Sequence, residues 1–389
     1  MARFRRSFLC TAYTGLSLFC LTRPPRVIAQ LSTEDHVSEP GFWPTQTAAT
    51  RTGFVGAKTC ASCHASIFAT QQTTPMGATA AHVENSEILK SHPRLSYSFG
   101  SYRAEIKTDG QQTSYTVSDG KETRSANLLW GFGTGRVGQS YLFKKPQDEN
   151  FYEARVTYFS SLHNLNFTPA RALASPKDID EAMYRVVSPG EVARCFACHS
   201  TASNIAGKFD EANLVPGVTC EACHGAGAEH VAAMTAAKLT GESVGPTKIY
   251  NPGSLRPADS VDFCGACHAT TWDVKLSGNK GVSNARSQPY RLQKSKCWGQ
   301  GDPRITCLGC HDPHKQLQTE PGAYDGACLS CHLIAGSAKN IADHPGGACP
   351  VAQKNCVTCH MPKVQVPEMH YDFTDHKIRI VRPGESYSD

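Results

Sequence analysis

The chain of 389 residues is long enough for one large domain or for two or three ordinary ones, and 40% of its residues are hydrophobic. Its formal net charge of +5 originates at the N-terminus: five of the 39 basic residues are arginines within the first 29 residues, which contain no acid, so the 34 basic residues beyond them balance the 34 acidic ones. This balance excludes the basic surface typical of nucleic-acid-binding proteins.

The first 29 residues have the pattern of an export signal. Arginines at positions 3, 5 and 6 precede an apolar run over residues 7–21, and Val27 and Ala29 are small residues of the kind that a signal peptidase accepts. We therefore expect a signal peptide over residues 1–29 and a mature protein in the periplasm or outside the cell. An uncleaved anchor is the alternative, although the run is short for a bilayer span. No second long apolar run follows, so we expect no transmembrane span in the mature chain.

Beyond a lead-in over residues 30–54 that is rich in Thr, Pro, Gly and Ala, a cysteine pair followed directly by histidine occurs seven times. Chance would produce ~0.03 such pentads in a chain of this composition, and the pattern is the attachment site for c-type haem. The pentads comprise Cys60, Cys63 and His64; Cys195, Cys198 and His199; Cys220, Cys223 and His224; Cys264, Cys267 and His268; Cys307, Cys310 and His311; Cys328, Cys331 and His332; and Cys356, Cys359 and His360.

Helical geometry explains the spacing of these pentads. Residues i and i+3 lie on one side of a helical turn, so both thiols reach the two vinyl groups at one porphyrin edge. The histidine at i+4 shares that face and reaches the iron. Zinc ribbons also use paired Cys-x-x-Cys, but they need no histidine after every pair. The sequence therefore predicts seven covalently attached haems.

The first haem segment, residues 55–93, is separated from the other six haem motifs by a stretch with a different residue pattern. SYRAEIKTDGQQTSYTVSDG (101–120) alternates polar and apolar residues and contains two Asp-Gly turns. We expect a small antiparallel β insertion over residues 94–162.

Residues 163–389 form the predicted six-haem domain, in which successive motif histidines are 21 to 44 residues apart. Segments this short cannot build a conventional core, so the haems must form it. The clearest helix signal is SPKDIDEAMYRVVS (175–188), with a candidate N-cap at Ser175. The predicted fold class is mainly α with sparse secondary structure, a core of stacked haems and the β insertion.

The group opposite each motif histidine decides what its haem does. A second histidine or a methionine saturates the iron for electron transfer, whereas an open position admits a substrate. His230 and His314 follow their own motifs too closely to pass around a porphyrin edge, so each would serve a neighbouring haem. The candidate distal ligands are Met76 or His82, then His163, His230, His314, His344, His370 and His376.

Cys297 and Cys349 lie outside the pentads. In an oxidising compartment they would form one disulfide, and two separate thiols are the alternative.

The haem motifs resemble a known superfamily that includes the tetrahaem cytochrome c of ammonia oxidisers, hydroxylamine oxidoreductase and the octahaem nitrite and tetrathionate reductases. The resemblance rests on the dense motifs and on CEACHGAGAEH, CLGCHDPH, CVTCHMPK and FTDHKI, and it covers residues 55–92 and 190–380. It implies distal-ligand roles for His230 and His314. The superfamily commonly has a histidine about twelve residues after the first motif histidine, whereas this chain has Met76 there.

These observations predict a periplasmic heptahaem c-type cytochrome that transfers electrons along closely packed haems between redox partner proteins. The alternative is a multihaem oxidoreductase that acts on a small nitrogen or sulfur oxyanion at one five-coordinate haem. No variant Cys-x-x-Cys-Lys motif is present, and the sequence assigns no catalytic residue.

Overall fold

The computed structural model describes residues 51–170, 172, 175–206, 208–241, 248–298, 305–332, 349, 351–382, 384–385 and 387–389. The described residues belong to one compact unit. The predicted signal peptide, most of the lead-in and the candidate ligand His344 lie outside these ranges.

The dominant element of the described chain is an antiparallel sheet of ten strands. Its strands are β1 (Ala80–His82), β2 (Arg94–Phe99), β3 (Tyr102–Asp109), β4 (Gln112–Ser118), β5 (Thr123–Phe132), β6 (Gly138–Lys144), β7 (Phe151–Ala154), β8 (Val156–Phe159), β9 (Asn164–Phe167) and β10 (Tyr184–Val187). The main path runs β10-β7-β6-β5-β4-β3-β2, with β1 paired to β5, and β8 paired to both β6 and β9.

This sheet contradicts the expected fold class, because a chain whose largest element is a ten-stranded sheet is not mainly α. The alternating pattern of residues 101–120 did indicate strands, and β3 and β4 join through a two-residue turn. Gly110 at the first position of that turn has φ +62°, which tight hairpins require. The sheet extends beyond residues 94–162 to include β1, β9 and β10. These strands are too short to carry an alternating pattern of their own, so the sequence did not predict them.

The core of the sheet is formed by alternating inward-facing residues. Ile106 and Tyr115 lie opposite one another on β3 and β4, and both are fully buried. Their neighbours include Phe143 and, from a short helix beneath the sheet, Met183. The Tyr115 hydroxyl donates to the Met183 carbonyl at 2.8 Å, which satisfies a polar atom that would otherwise be buried without a partner.

The helices of the described chain are mostly one or two turns long. They are α1 (Ala57–Ala61), α2 (Ala65–Gln71), α3 (Glu87–Ser91), α4 (Ile179–Met183), α5 (Pro189–His199), α6 (Cys220–His224), α7 (Ala228–Thr240), α8 (Pro257–His268), α9 (Thr271–Ser277), α10 (Gln288–Gln293), α11 (Asp325–Leu329) and α12 (Cys356–His360). Short 3-10 turns cover Val83–Asn85, Pro252–Ser254, Gly281–Arg286, Cys307–Gly309, Pro321–Tyr324 and Pro367–Met369. Two small hairpins, β11 (Ser200–Thr201) with β14 (Val215–Pro216) and β12 (Asn204–Ile205) with β13 (Lys208–Phe209), follow α5, and β15 (Lys363–Val366) pairs with β16 (Tyr371–Thr374).

The helix predicted over residues 175–188 is shorter than its pattern indicated. Asp178, not Ser175, caps α4, and its carboxylate accepts the Glu181 N–H at 2.8 Å. The residues after Met183 form β10, which pairs with β7. No helix among the described residues has the length and apolarity needed to cross a membrane.

Candidate haem centres

Each of the seven pentads forms a helical turn. Four of them are the last five residues of α5, α6, α8 and α12. In the other three, the histidine N–H donates to the carbonyl of the first cysteine at 2.8 to 2.9 Å: His64 to Cys60, His311 to Cys307 and His332 to Cys328. The i to i+4 bond closes the turn even where the helix ends early, so thiols and imidazole are arranged as haem attachment requires.

Three motif histidines in the described chain face a histidine from a distant segment. The ring centroids lie 6.1 to 6.3 Å apart in the pairs His64–His230, His224–His314 and His311–His376. The planes of the first two pairs are within 20° of parallel, and those of the third are inclined by 39°. In every pair one member belongs to a pentad and the other does not.

This spacing fits an iron between the two rings. An imidazole nitrogen roughly 2 Å from the metal on each side separates the ring centroids by roughly 6 Å. The donor set of two imidazoles, with two thiols beside the motif histidine, is also the set that a haem c needs. His230 and His314 each face a histidine of another motif, and neither faces the histidine that precedes it in sequence.

Hydrogen bonds at Nδ1 orient several of these rings. The Nδ1 atoms of His224, His360 and His376 lie 2.8, 2.9 and 3.0 Å from the carbonyls of Tyr250, Arg379 and Thr374, respectively. When Nδ1–H donates to a fixed acceptor, Nε2 is left as the metal ligand, which is the usual arrangement of ligating histidines.

Two half-buried histidines are held in the neutral form that a metal requires. Burial lowers the pKa of His199 to about 4 and that of His376 to about 4. A neutral imidazole has a lone pair to donate, so neither ring needs to lose a proton at neutral pH before it binds a metal.

The other predicted distal ligands lie in different surroundings. His82 packs on the Trp130 ring with centroids 3.7 Å apart, and the His370 ring meets the edge of Phe159 at 4.8 Å. His163 is exposed. Within the described chain, none of these three imidazoles faces a motif histidine. Met76 is half-buried, and its carbonyl accepts the Val218 N–H at 3.0 Å.

Thiols of different motifs lie against one another. Burial and the neighbouring Cys220 raise the pKa of the Cys60 thiol to about 11. The thiol neighbours in the described chain are Cys60 with Cys220, Cys198 with Cys267, Cys264 with Cys307, and Cys328 with Cys356. Groups attached at these motifs would therefore be close neighbours. No disulfide joins Cys297 to Cys349, and Cys349 is exposed.

Glu221, inside the third pentad, connects the segments that contain the first and third pentads. Its buried carboxylate accepts the N–H groups of Val55 and Gly56, both at 2.9 Å, and of Gly227 at 3.0 Å. These amides open α1, which carries the first cysteine, and α7, which carries His230. The role was not predicted, and an acidic residue within a pentad was the only sequence signal for it.

Asp325 has the same function between the sixth and seventh motifs. This residue begins α11, and its carboxylate accepts the N–H groups of Asn355 at 2.7 Å and Cys356 at 2.9 Å, where α12 begins. Those two backbone hydrogen bonds lower the pKa of Asp325, so the carboxylate is charged when it accepts them. A carboxylate therefore holds together each of two pairs of motifs whose thiols touch.

We expect Glu221→Gln to destabilise the protein by about 1–3 kcal/mol, because one amide oxygen replaces two carboxylate oxygens and at least one buried N–H loses its partner. Guanidinium unfolding measures the loss, and mass spectrometry of the peptide containing residues 60–64 measures its haem occupancy. Glu229→Gln, at an exposed position on α7, is the control. Equal stability of the two variants would contradict this role.

A buried ion pair supports the segment that carries His376. Asp375 accepts two hydrogen bonds from Arg291 of α10, at 2.8 and 2.9 Å, and one from Arg379 at 2.7 Å. The Ser295 hydroxyl donates to the His376 carbonyl at 3.0 Å. Because the Arg379 carbonyl is the acceptor for His360 Nδ1, the network supports one candidate distal ligand and one motif histidine.

Comparison with known proteins adds a match to one family model. The model described as cytochrome c554 and c-prime matches residues 151–225, which include the pentads at 195–199 and 220–224. Among solved structures, the outer cell wall cytochrome OcwA aligns with a TM-score of 0.48 and 15% identity, over 85% of this chain and 80% of that one. None of the curated proteins compared with the chain matches it. With two attachment pentads inside the matched segment, the chain is a c-type cytochrome, an electron-transfer protein with covalently bound haem c.

Proposed function

We propose that this cytochrome carries seven haems c and passes electrons between redox partner proteins. The observation that carries the proposal is the set of three facing imidazole pairs, His64–His230, His224–His314 and His311–His376. An iron with an imidazole on both faces has no open position for a substrate, so it is suited to electron transfer.

The chain's own residues would hold and orient the haems. When bound, each haem supplies an iron that cycles between the ferric and ferrous states. The pentad cysteines would anchor the porphyrin edge, and backbone carbonyls at Nδ1 keep the imidazoles in one orientation. Glu221 and Asp325 keep neighbouring motifs together, so haems attached at those motifs would be neighbours.

Further parts of the proposal rest on the sequence. We place the mature protein in the periplasm or outside the cell, after removal of a signal peptide over residues 1–29, and divide it into residues 30–54, 55–93, 94–162 and 163–389. We also propose membership of the superfamily that contains the ammonia-oxidiser tetrahaem cytochrome c, hydroxylamine oxidoreductase and the octahaem reductases. The ligand roles of Met76 or His82, and of His163, His344 and His370, belong to the same proposal.

The competing function is an oxidoreductase of small nitrogen or sulfur oxyanions. One observation favours it: within the described chain, the motif histidines His199, His268 and His360 have no imidazole facing them. A haem left with one axial histidine offers its sixth position to a ligand.

Electron paramagnetic resonance (EPR) of the oxidised protein, with and without cyanide or nitrite, separates the two functions. The carrier proposal predicts a spectrum of low-spin haems that is inert to both anions. A high-spin signal that shifts on addition of either anion would contradict it and support the oxidoreductase.

A further inference from the structure

The Nδ1 atom of His199, the histidine of the second pentad, has a side-chain partner. It lies 2.7 Å from the Thr79 hydroxyl oxygen and 3.3 Å from the Thr79 carbonyl oxygen. That carbonyl already accepts the Gly133 N–H at 2.7 Å, so the hydroxyl is the closer and less committed acceptor. At His224 and His360 the corresponding partner is a backbone carbonyl, which no substitution removes.

We propose that Thr79 is a positioning residue for the second haem: its hydroxyl orients His199 and lowers the reduction potential of the haem attached at residues 195–199. The inference rests on the proposed function, because it requires His199 to bind the iron through Nε2. In that state Nδ1 carries the hydrogen and the threonine oxygen accepts it.

The backbone on both sides of Thr79 is fixed by contacts with other segments, which sets the position of its hydroxyl. Residues 80–82 follow directly as β1 and pair with β5. On the N-terminal side of Thr79, the chain packs against Gly217, where a Cβ would collide with the Gly77 carbonyl. Gly217 also donates its N–H to the His199 carbonyl at 3.1 Å. The turn that carries Thr79 therefore packs backbone to backbone against the segment that leads into the third pentad.

The effect on the potential follows from the charge on the imidazole. Donation of Nδ1–H to an acceptor makes the ring a stronger electron donor through Nε2. A stronger donor stabilises ferric over ferrous iron, so the potential falls. Removal of the acceptor should raise the potential of this haem and leave the others unchanged.

The test compares Thr79→Val, which deletes the hydroxyl at nearly constant volume, with Thr79→Ser, which retains it. Potentiometric titration, followed by visible absorption and by EPR, should show one Nernstian component at higher potential and one altered low-spin signal in the valine variant. The serine variant should match wild type. Thr73→Val is a further control, because the Thr73 hydroxyl is exposed and donates to the Thr70 carbonyl in the same segment.

The haem content of the peptide containing residues 195–199 is measured by mass spectrometry on the same samples. If that peptide carries haem in every variant and the valine titration is identical to wild type, the role of Thr79 is refuted while the proposed function stands. A wild-type peptide without haem would instead refute the proposed function at this site. A shift of equal size in Thr79→Ser would also refute the role of the hydroxyl.

Discussion

Replacement of Asp375 by asparagine is expected to lower the free energy of unfolding by about 3–5 kcal/mol, the largest loss we expect from one polar substitution. The side chains of Asp375 and Arg291 are both 0% exposed, and they meet through two parallel hydrogen bonds. Asparagine keeps the shape but removes the charge, which leaves the Arg291 guanidinium buried without full compensation.

The same substitution should disturb the candidate ligand beside it. Asp375 also accepts the Lys377 N–H at 3.1 Å and a hydrogen bond from Arg379, so it fixes the segment that follows His376. We expect a fraction of the molecules to lose the imidazole that faces His311, so that their fifth haem gives a high-spin signal. Asp372→Asn, at an exposed position on β16, should change neither stability nor spin state. An Asp375→Asn protein with wild-type stability in guanidinium would contradict the account of this network.

The ion pair also sets a direction for the pH dependence of stability. Burial alone would raise the pKa of Asp375, but the hydrogen bonds from Arg291 and the Lys377 amide outweigh it and lower the pKa. The contribution of this carboxylate is therefore complete above the ordinary pKa of an aspartate and is lost as the pH falls through the lowered value. Unfolding measured from neutral to acidic pH should show a decline in wild type that is smaller in Asp375→Asn.

Substitution of His314 by alanine is expected to convert one haem from low spin to high spin. His314 faces His224 at 6.1 Å with the planes 9° apart, and its Nδ1 lies 3.3 Å from the Asp312 carboxylate. A carboxylate at Nδ1 orients the ring toward a metal on the other side. Loss of the ring leaves the third haem with one axial ligand, because no second imidazole of the described chain faces His224.

EPR of the oxidised His314→Ala protein measures the conversion, and added imidazole should restore the low-spin signal by entering the open position. His92→Ala is the matched control. His92 Nδ1 contacts the Ile88 carbonyl at 3.2 Å and its Nε2 lies 3.4 Å from the Tyr158 hydroxyl, so both nitrogens already have partners. A His314→Ala spectrum identical to wild type would exclude His314 as a ligand.

Local chemistry was readable from the sequence, whereas long-range pairing was not. The pentads follow from i, i+3 and i+4 spacing within five residues, which no distant contact alters. The short link between His224 and His230 alone required His230 to serve another haem. Its partner His64 lies 166 residues earlier and is brought close only by the fold. The contact of Glu221 with Val55 spans a similar distance in sequence.

The errors have the same origin. Residues 184–187 carried a helix signal in continuity with α4, yet the pairing of Val186 and Val187 with β7 makes them a strand. The fold class was wrong because the short strands β1 and β10 join the sheet through β5 and β7, which are distant from them in sequence. Arg291 and Asp375, 84 residues apart, had no signal that joined them.

The most direct test of the account is anomalous X-ray diffraction at the iron absorption edge from crystals of the haem-loaded protein. The account predicts seven iron peaks, with one between the rings of each pair His64–His230, His224–His314 and His311–His376. Fewer than seven peaks would contradict the haem count. The absence of a peak between any of these pairs would contradict the ligation on which the proposed function rests.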